Sequence, residues 1–238
     1  MELFIVCFII GVIGFLQKRE DIKMKIEKFG NITLINGDCM EFMQSQNDKS
    51  FDLAIVDPPY GINRSGQRET FPKNVKHKRK FIEDRGWDNK IPGKDYFDNL
   101  FRVSENQVIF GGNYFVQYLK PTKGWIFWDK GQNLTMSDGE LAYTSFDRAL
   151  RRVIINRVEL LKQKTFHPTE KPIKLYEWVL LHYAQPGQKI LDTHGGSMSH
   201  AIAAHKLGFD LTIIEKDPVY YEQAKKRLIE FQRQQVLF

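Results

Sequence analysis

The stretch Phe51-Asp52-Leu53-Ala54-Ile55-Val56-Asp57-Pro58-Pro59-Tyr60 decides the fold of this chain. Its first six residues form a nearly continuous apolar run, which is typical of a strand buried on both faces of a parallel sheet. The run ends in an acid, two prolines and an aromatic residue. Prolines fix their own backbone and hold the preceding residue extended. The sequence therefore predicts a carboxylate held at the carboxyl end of a buried strand.

The residue types at 57–60 suit the binding of a flat base that carries an exocyclic amine. An adenine N6 or cytosine N4 amine is a weak nucleophile because its lone pair is delocalised into the ring. The Asp57 carboxylate and the Pro58 carbonyl could accept its two N–H bonds and favour the more reactive tetrahedral form, while Tyr60 could stack on the base. A strand-ending turn with no catalytic duty is the alternative, and these residues alone do not decide between the two.

A second apolar strand pattern runs into small residues at Lys189-Ile190-Leu191-Asp192-Thr193-His194-Gly195-Gly196-Ser197, and a helical pattern follows at 201–207. A strand, a glycine turn and a helix let a ligand approach the backbone at the carboxyl edge of a parallel sheet. Glu215 lies about 20 residues further on, where an acid typically binds ribose hydroxyls. Together these features favour a nucleoside-containing cofactor over glycines that only turn the chain.

A third motif, His167-Pro168-Thr169-Glu170-Lys171-Pro172, precedes an amphipathic run at 175–181. Taken alone, it is typical of a helix start with Thr169 as the N-cap, and it needs no other role.

Five motifs in a fixed order give the chain a family resemblance. They are Gly37-Asp38-Cys39, Asp57-Pro58-Pro59-Tyr60, the motif at 167–172, the turn at 192–197 and Glu215-Lys216-Asp217-Pro218. This order resembles the DNA adenine-N6 and cytosine-N4 methyltransferases in which the catalytic half precedes the cofactor-binding half. The resemblance extends from about Met24 to the C-terminus and implies a Rossmann-like methyltransferase fold.

The resemblance also implies an activity: transfer of a methyl group from S-adenosylmethionine to the N6 amine of an adenine flipped out of DNA. Asp57 favours adenine, since the cytosine enzymes of this family more often carry serine there. A cytosine-N4 methyltransferase and a catalytically inactive DNA-binding relative are the alternatives. No metal is expected, because a sulfonium methyl donor carries its own leaving group.

The site residues that the resemblance implies fall into two groups. The catalytic group is Asp57, Pro58, Pro59 and Tyr60. The cofactor-binding group is Asp38 near the adenine, Glu215 on the ribose, and Cys39, Thr169, Lys171, Asp192, Gly195, Gly196 and Ser197.

The glycine turn departs from the family pattern at two positions. His194 replaces an aromatic packing residue, and Met198 stands where the last glycine is often found. Methionine does not readily adopt a positive φ. We therefore expect either a turn of different shape or a position at which glycine is not conformationally required.

Hydrophobic periodicity predicts an α/β fold with a doubly wound, mostly parallel seven-stranded sheet. The strands are predicted at 32–36, 53–56, 107–110, 125–128, 141–146, 189–191 and 211–214, and the helices at 95–103, 113–120, 172–184, 199–207 and 218–233. No helical pattern separates the strand patterns near 125–155, which predicts an antiparallel edge. Residues 24–238 are expected to form a single domain.

The charge of the chain suits double-stranded DNA as partner. The formal net charge is +6 and the pI is about 9.1. Basic residues concentrate in two predicted DNA-contacting insertions near 61–90 and 147–166; a solvated charged face is the alternative. The residues implied are Lys73, Lys76, Lys78, Arg79 and Lys80 in the first insertion, and Arg148, Arg151 and Arg152 in the second.

The N-terminal residues 1–23 are expected to lie outside the working enzyme. Their apolar run, 3–16, is short for a membrane span, and the family pattern begins only at Met24. A short anchor and an ordinary packing helix are the alternatives. Two cysteines, Cys7 and Cys39, show no pairing or metal-ligand spacing, which favours a reducing cytoplasmic location.

Overall fold

A computed structural model describes residues 24–63, 65, 85–131, 137–156 and 169–235. The predictions made for residues 1–23, for the basic residues between 73 and 80, and for His167 and Pro168 lie outside the described residues. The strands are β1 (Lys25–Phe29), β2 (Ile32–Asn36), β3 (Phe51–Val56), β4 (Ser104–Phe110), β5 (Trp125–Asp129), β6 (Gly139–Thr144), β7 (Arg151–Ile154), β8 (Lys189–Asp192) and β9 (Asp210–Glu215). The α-helices are α1 (Cys39–Ser45), α2 (Lys94–Val103), α3 (Ile173–Tyr183), α4 (Ser199–Leu207) and α5 (Pro218–Gln235).

The strands form one sheet in the order β1-β2-β9-β8-β3-β4-β6-β5-β7. The five strands from β2 to β4 are parallel to one another, whereas β6 runs antiparallel to β4 and to β5. The mostly parallel sheet and its antiparallel edge are thus confirmed. All seven predicted strands are present, and the sheet gains one further strand at each edge, β1 and β7. Both extra strands are largely exposed, so neither shows the apolar signature of a buried strand.

Helices cover both faces of the sheet, and the side-chain alternation of β3 divides the core accordingly. Leu53 and Ile55 point to the face covered by α3, α4 and α5, while Ala54 and Val56 point to the face covered by α1 and α2. All four side chains are fully buried. Burial of this kind stabilises the fold by about 1.5–3 kcal/mol for each large aliphatic side chain, so we expect a polar substitution at any of these positions to be strongly destabilising.

The helix predicted at 113–120 does not form, and one helix that does form, α1, was not predicted. Instead of a helix at 113–120, the chain makes two 3-10 turns, Gly112–Tyr114 and Val116–Tyr118. Gly111 precedes them with a φ of +67°, a conformation that interrupts regular structure, and Phe115 between the turns is fully buried. The seven-residue α1 has too few turns for a periodic signal, although its N-cap, Asp38, accepts a hydrogen bond from the Met40 amide at 2.7 Å.

β3 and β8 are neighbours in the sheet, but the chain leaves them toward opposite edges. From β3 the chain crosses through α2 to β4, while from β8 it crosses through α4 to β9 on the other side. A crevice opens at the carboxyl ends of the strands where such connections diverge. The sheet therefore places its ligand-binding crevice beside Asp57, at the end of β3, and the glycine turn, at the end of β8.

Candidate active site

A cavity of about 510 Å³ opens at this crevice, within the range of roughly 300–1,000 Å³ that small-molecule sites occupy. It draws residues from both halves of the chain. Its walls are formed by Cys39, Asp57, Pro59, Arg85, Trp87, Thr169, Glu170, Lys171, Tyr176, Thr193, His194, Gly195, Gly196, Ser197, Ser199, Glu215, Lys216, Asp217, Pro218 and Tyr220. The structure thus brings the implied catalytic carboxylate and most of the implied cofactor residues to a single cavity.

Asp57 is held by two donors. The Tyr60 hydroxyl donates to its Oδ1 at 2.7 Å, and the Lys171 ammonium donates to its Oδ2 at 2.5 Å. Lys171 Nζ also lies 3.0 Å from the Tyr60 oxygen. The Lys171 side chain is only 4% exposed, so its charge is almost fully withdrawn from water. Lys171, which the resemblance assigned to the cofactor, therefore contacts the catalytic group directly.

The electrostatics of this group depend on burial and on a second carboxylate. Burial raises the pKa of Asp57, and Lys171 only partly opposes that rise. For Lys171 itself, burial lowers the pKa, but the charges of Asp57 and Glu140 outweigh burial and raise it overall. Glu140, on β6, lies 3.5 Å from Lys171 Nζ. The ammonium thus remains charged between two carboxylates.

Tyr60 offers less stacking surface than the sequence suggests. Its ring is stacked on Tyr114, with centroids 4.9 Å apart and an interplanar angle of 14°, and Phe115 meets it edge-on. A Cβ atom at Gly111 would come within 2.2 Å of the Tyr60 ring, so this position needs glycine. One face of Tyr60 is therefore already covered. Of the two prolines, Pro59 lines the cavity, while Pro58 is buried.

Glu215 anchors the glycine turn from the end of β9. Its Oε2 accepts a hydrogen bond from the Gly196 amide at 2.7 Å, and its Oε1 accepts one from the Asp217 amide at 2.8 Å. Burial raises the pKa of Glu215 to about 7, even though both amides favour its charged form. The Glu215 carboxylate lies on the wall of the cavity.

Met198, one of the two departures from the family pattern in the glycine turn, has a left-handed backbone. It adopts φ 60° and ψ 24°, the left-handed conformation that is unfavourable for methionine, and it is fully buried. The alternative that glycine is not conformationally required here was therefore wrong: the position has the conformation that favours glycine, and methionine adopts it. Its Cε packs so closely on Gly195 that a Cβ there would lie 2.6 Å from it. Burial of the side chain offsets a backbone cost of about 1–2 kcal/mol.

A pair of substitutions at Met198 separates the cost of its left-handed backbone from the gain of burying its side chain. Met198→Gly and Met198→Ala both remove the buried side chain, but only glycine relieves the left-handed strain. We expect the glycine variant to be more stable than the alanine variant by about 1 kcal/mol, whereas at most helical positions alanine is the better residue. Urea unfolding of the two proteins measures the difference, and greater stability of Met198→Ala would contradict the conformation described.

Asp192 is an implied cofactor residue that does not reach the cavity wall. Its Oδ1 accepts from the His194 amide at 3.0 Å, and its Oδ2 lies 2.9 Å from His200 Nδ1, within a pair that is almost fully buried. It supports the turn from behind, and its neighbours Thr193 and His194 face the cavity instead. Burial lowers the pKa of His194 to about 4, so this ring is neutral near pH 7.

Asp38 and Cys39 stand where β2 leads into α1. Besides capping α1, Asp38 pairs with Lys216 across the crevice at 2.8 Å. Cys39 lines the cavity, and burial raises the pKa of its thiol to about 12, so the side chain acts as a neutral wall rather than a nucleophile.

The sequence analysis assigned no role to several residues of the site. Glu170 accepts an ion pair from Arg227 at 2.8 Å and lines the cavity; its position inside the third motif was the signal that could have indicated it. Glu140 and Tyr114 lie in segments without any motif. They join the site only because β6 pairs with β4 and because the turn after β4 folds back onto Tyr60.

The three described arginines of the second predicted insertion lie away from the cavity. Arg151 and Arg152 are exposed on β7, four strand spacings from β3, or about 19 Å. Arg152 pairs with Asp129 at 2.5 Å, and Arg148 donates to the His182 carbonyl at 2.8 Å. The structure does not bring these three arginines to the catalytic group. Lys73, Lys76, Lys78, Arg79 and Lys80 lie outside the described residues.

The described residues offer neither a metal site nor a membrane span. Within residues 24–63, 65, 85–131, 137–156 and 169–235, no group of three or more histidine, cysteine or acidic side chains is placed to hold a metal ion. No helix in that part of the chain is long and apolar enough to cross a membrane.

Comparison with known proteins gives concordant matches. Residues 144–226 match the N6/N4 family model described as DNA methylase. The type II methyltransferase M.HinfI of Haemophilus influenzae is 25% identical over 256 residues, which cover 87% of this chain and 71% of the relative.

Solved structures share the architecture. M1.HpyAVI in complex with SAM superposes with a TM-score of 0.57 at 21% identity, covering 83% of this chain and 98% of the other. The cytosine-N4-specific PvuII DNA methyltransferase gives 0.55 at 15% identity, covering 88% and 94%. This likeness confirms the Rossmann-like methyltransferase fold predicted from the sequence.

Proposed function

We propose that this member of the N6/N4 DNA methyltransferase family moves a methyl group from S-adenosylmethionine to the N6 amine of an adenine flipped out of double-stranded DNA. The observation that carries the proposal is the position of Asp57. Its carboxylate, only 16% exposed, follows β3 on the wall of a cavity that also contains the glycine turn and Glu215. A methyl acceptor held by Asp57 and a nucleoside held by Glu215 would therefore meet inside one cavity.

The residues present fit S-adenosylmethionine. Glu215 presents a carboxylate to ribose hydroxyls, Gly195 and Gly196 let the ligand approach the backbone, and the neutral Cys39 thiol adds an apolar wall. Thr169, Ser197 and Asp38 complete the set that we assign to cofactor binding. The bound molecule supplies an electrophilic methyl group on a sulfonium that is its own leaving group.

Asp57 and its neighbours prepare the acceptor amine. In our proposal the carboxylate and the Pro58 carbonyl accept the two amine N–H bonds, which localises the nitrogen lone pair toward the methyl group. As the N–C bond forms, the nitrogen must lose one proton. Asp57 is placed to accept it, because burial raises its pKa above that of an ordinary aspartate.

The target base must leave the duplex to reach this cavity. We propose that it stacks on Tyr60, which adjoins the cavity through Asp57 and has Tyr114 against one face of its ring. Adenine is preferred over cytosine because Asp57 stands where the related cytosine-N4 enzymes more often carry serine. Mass spectrometry of digested product DNA tests the choice: we expect N6-methyladenine, and N4-methylcytosine would reassign the base while keeping the chemistry. Absence of any methylated base with a range of DNA substrates would refute the function.

Cofactor affinity is expected to depend on the protonation of Glu215. Burial raises the pKa of this carboxyl to about 7, and its ionised form is the stronger acceptor for ribose hydroxyls. The affinity for S-adenosylmethionine should therefore rise by about tenfold between about pH 6 and about pH 8, as the ionised fraction rises. Calorimetric titration at several pH values measures this rise.

The matched control is Glu215→Gln, which cannot ionise. It should bind more weakly and with little dependence on pH over the same range. Equal affinities of the parent protein at both ends of the range would remove Glu215 from the ribose contact.

DNA binding is assigned mainly to the basic residues between 61 and 90, because they follow the catalytic motif directly. We expect neutralisation of Lys76, Lys78, Arg79 and Lys80 to weaken binding to all DNA sequences and to reduce the salt dependence by about 0.9 for each phosphate that is no longer neutralised. Titrations at several salt concentrations measure both quantities. A control with the same change in net charge neutralises four exposed lysines elsewhere: Lys94, Lys120, Lys123 and Lys226. Equal behaviour of the two variants would leave the segment as a solvated surface.

We further propose that residues 24–238 act as one domain in the cytoplasm, with Arg148, Arg151 and Arg152 contacting DNA beyond the target base. Residues 1–23 take no part in this activity.

A further inference from the structure

A carboxylate oxygen close to Asp57 is buried without a hydrogen bond. This atom is Oε2 of Glu140, for which none of the described residues serves as a hydrogen-bond donor. The other oxygen of the same carboxylate, Oε1, forms an ion pair with Lys130 at 2.9 Å. Buried polar atoms nearly always have a hydrogen-bond partner, so an acceptor left open beside a catalytic group calls for an explanation.

A cation close to this open acceptor is already bound to Asp57. Lys171 Nζ lies 2.5 Å from Asp57 Oδ2 and 3.5 Å from Glu140 Oε2. The longer distance exceeds that of a hydrogen bond, but a movement of about 0.7 Å would shorten it to about 2.8 Å, which is typical of an ammonium–carboxylate contact. The ammonium therefore stands between two carboxylates, bonded to one and within a short step of the other.

The Lys171 ammonium and an incoming amine would compete for the Asp57 carboxylate. A carboxylate that is neutralised by an ammonium is a weaker acceptor for an amine N–H bond than a carboxylate whose charge is unpaired. Moving Lys171 away would make Asp57 a stronger acceptor, but a buried ammonium without a counter-ion is strongly unfavourable. The open oxygen of Glu140 removes that cost, because Lys171 can change partners without being exposed.

We propose that Glu140 is a positioning residue for methyl transfer: it receives the Lys171 ammonium when the target amine binds Asp57. This inference rests on the proposed function for its catalytic consequence. The exchange itself is a property of three side chains of this chain, and it can be tested without any substrate.

The first test is a crystal structure of the Asp57→Ala variant, which removes the first partner of Lys171. We expect Lys171 Nζ to move to within about 3 Å of Glu140 Oε2. An ammonium that turns toward solvent, or that keeps its present distance from Glu140, would overturn the proposal. This result does not depend on whether the protein methylates DNA, so it is separate from the outcome for the proposed function.

The second test uses kinetics of Glu140→Gln with Lys130→Gln as its matched control. Loss of the Glu140 charge should lower kcat by about tenfold, while KM for DNA and the affinity for S-adenosylmethionine change by less than about twofold. If Glu140 served only to hold Lys130, the two variants would lose activity equally, and that result would contradict the proposal. Unchanged kcat in Glu140→Gln would contradict it as well.

A pH profile distinguishes positioning from a purely structural role. Asp57 faces Tyr60, Lys171 and Glu140, and the negative charge of Glu140 contributes to the raised pKa of Asp57. The acid limb of the kcat profile should therefore move to lower pH in Glu140→Gln. A variant that is merely less stable would keep the limb of the parent protein, and an unshifted limb would count against the proposal.

Discussion

Replacement of Asp57 by alanine is expected to lower the rate of methyl transfer on the order of a thousand-fold, the cost of removing one preorganised group that stabilises a transition state. The carboxylate is the partly buried acceptor that follows β3, and Tyr60 and Lys171 hold it in place. A tritiated-methyl assay with saturating cofactor and DNA measures the loss. DNA affinity should fall far less, because phosphate contacts by the basic segments supply most of it.

The fold of the Asp57→Ala variant should survive. Lys171 retains Glu140 as a counter-ion 3.5 Å away, so the substitution leaves no isolated buried charge. Asp98→Ala is the matched control, since Asp98 also forms an ion pair with a lysine, Lys94, but on the exposed surface of α2. Activity within a few-fold of the parent protein in Asp57→Ala would exclude Asp57 from catalysis.

Replacement of Lys171 by methionine is expected to produce the largest loss of stability. It leaves the Asp57 and Glu140 carboxylates facing each other in a site withdrawn from water, and removal of one partner from a buried ion pair typically costs about 3–5 kcal/mol. Urea unfolding measures the loss. Lys94→Met, which breaks the exposed Lys94–Asp98 pair, should cost less than about 1 kcal/mol.

The loss in Lys171→Met should depend on pH with a definite sign. In the parent protein, Lys171 lowers the pKa of both Asp57 and Glu140. Without it, the pKa of Asp57, which burial already raises, increases further, and the pKa of Glu140 rises above its unfolded value. The folded state then holds protons more tightly than the unfolded state. Stability is then greatest in acid and falls as the pH increases through the folded pKa values. We expect a larger deficit near pH 8 than near pH 5.

A double variant separates charge from packing. Adding Glu140→Gln to Lys171→Met removes one of the two repelling carboxylates and should recover part of the lost stability near pH 8. A deficit that is independent of pH, and that Glu140→Gln does not reduce, would show that Lys171 contributes by packing rather than by its charge.

Local sequence patterns predicted most of the secondary structure because the order of apolar and polar residues within an element reflects which of its faces are buried. The apolar run at 51–56 indicates a strand buried on both faces, and β3 is such a strand. The prediction at 113–120 was wrong because Gly111 in a left-handed conformation and the buried Phe115 divide that segment into two short turns. A periodic pattern over so short a segment carries no information about such an interruption.

The site was predicted only as far as its motifs extended. The strand-ending positions of Asp57 and Glu215 follow from the residues around them. The inward orientation of Asp192 does not, because it depends on His200 in the following helix. The left-handed conformation of Met198 was missed for a related reason: propensity disfavours it, and packing on Gly195 overrides propensity.

By itself the sequence determined the class of fold, the strands of the central sheet and the acids at their carboxyl ends, since each is set by neighbours a few residues away. Only the tertiary structure decided which of these ends meet. Lys171 reaches Asp57 across 114 residues, and Glu140 joins them because an antiparallel strand pairs with β4. The physical reason is that hydrophobic periodicity specifies the face that a strand buries but not the neighbour that it pairs with. Strand order and register, which depend on the whole chain, placed one ammonium between two carboxylates.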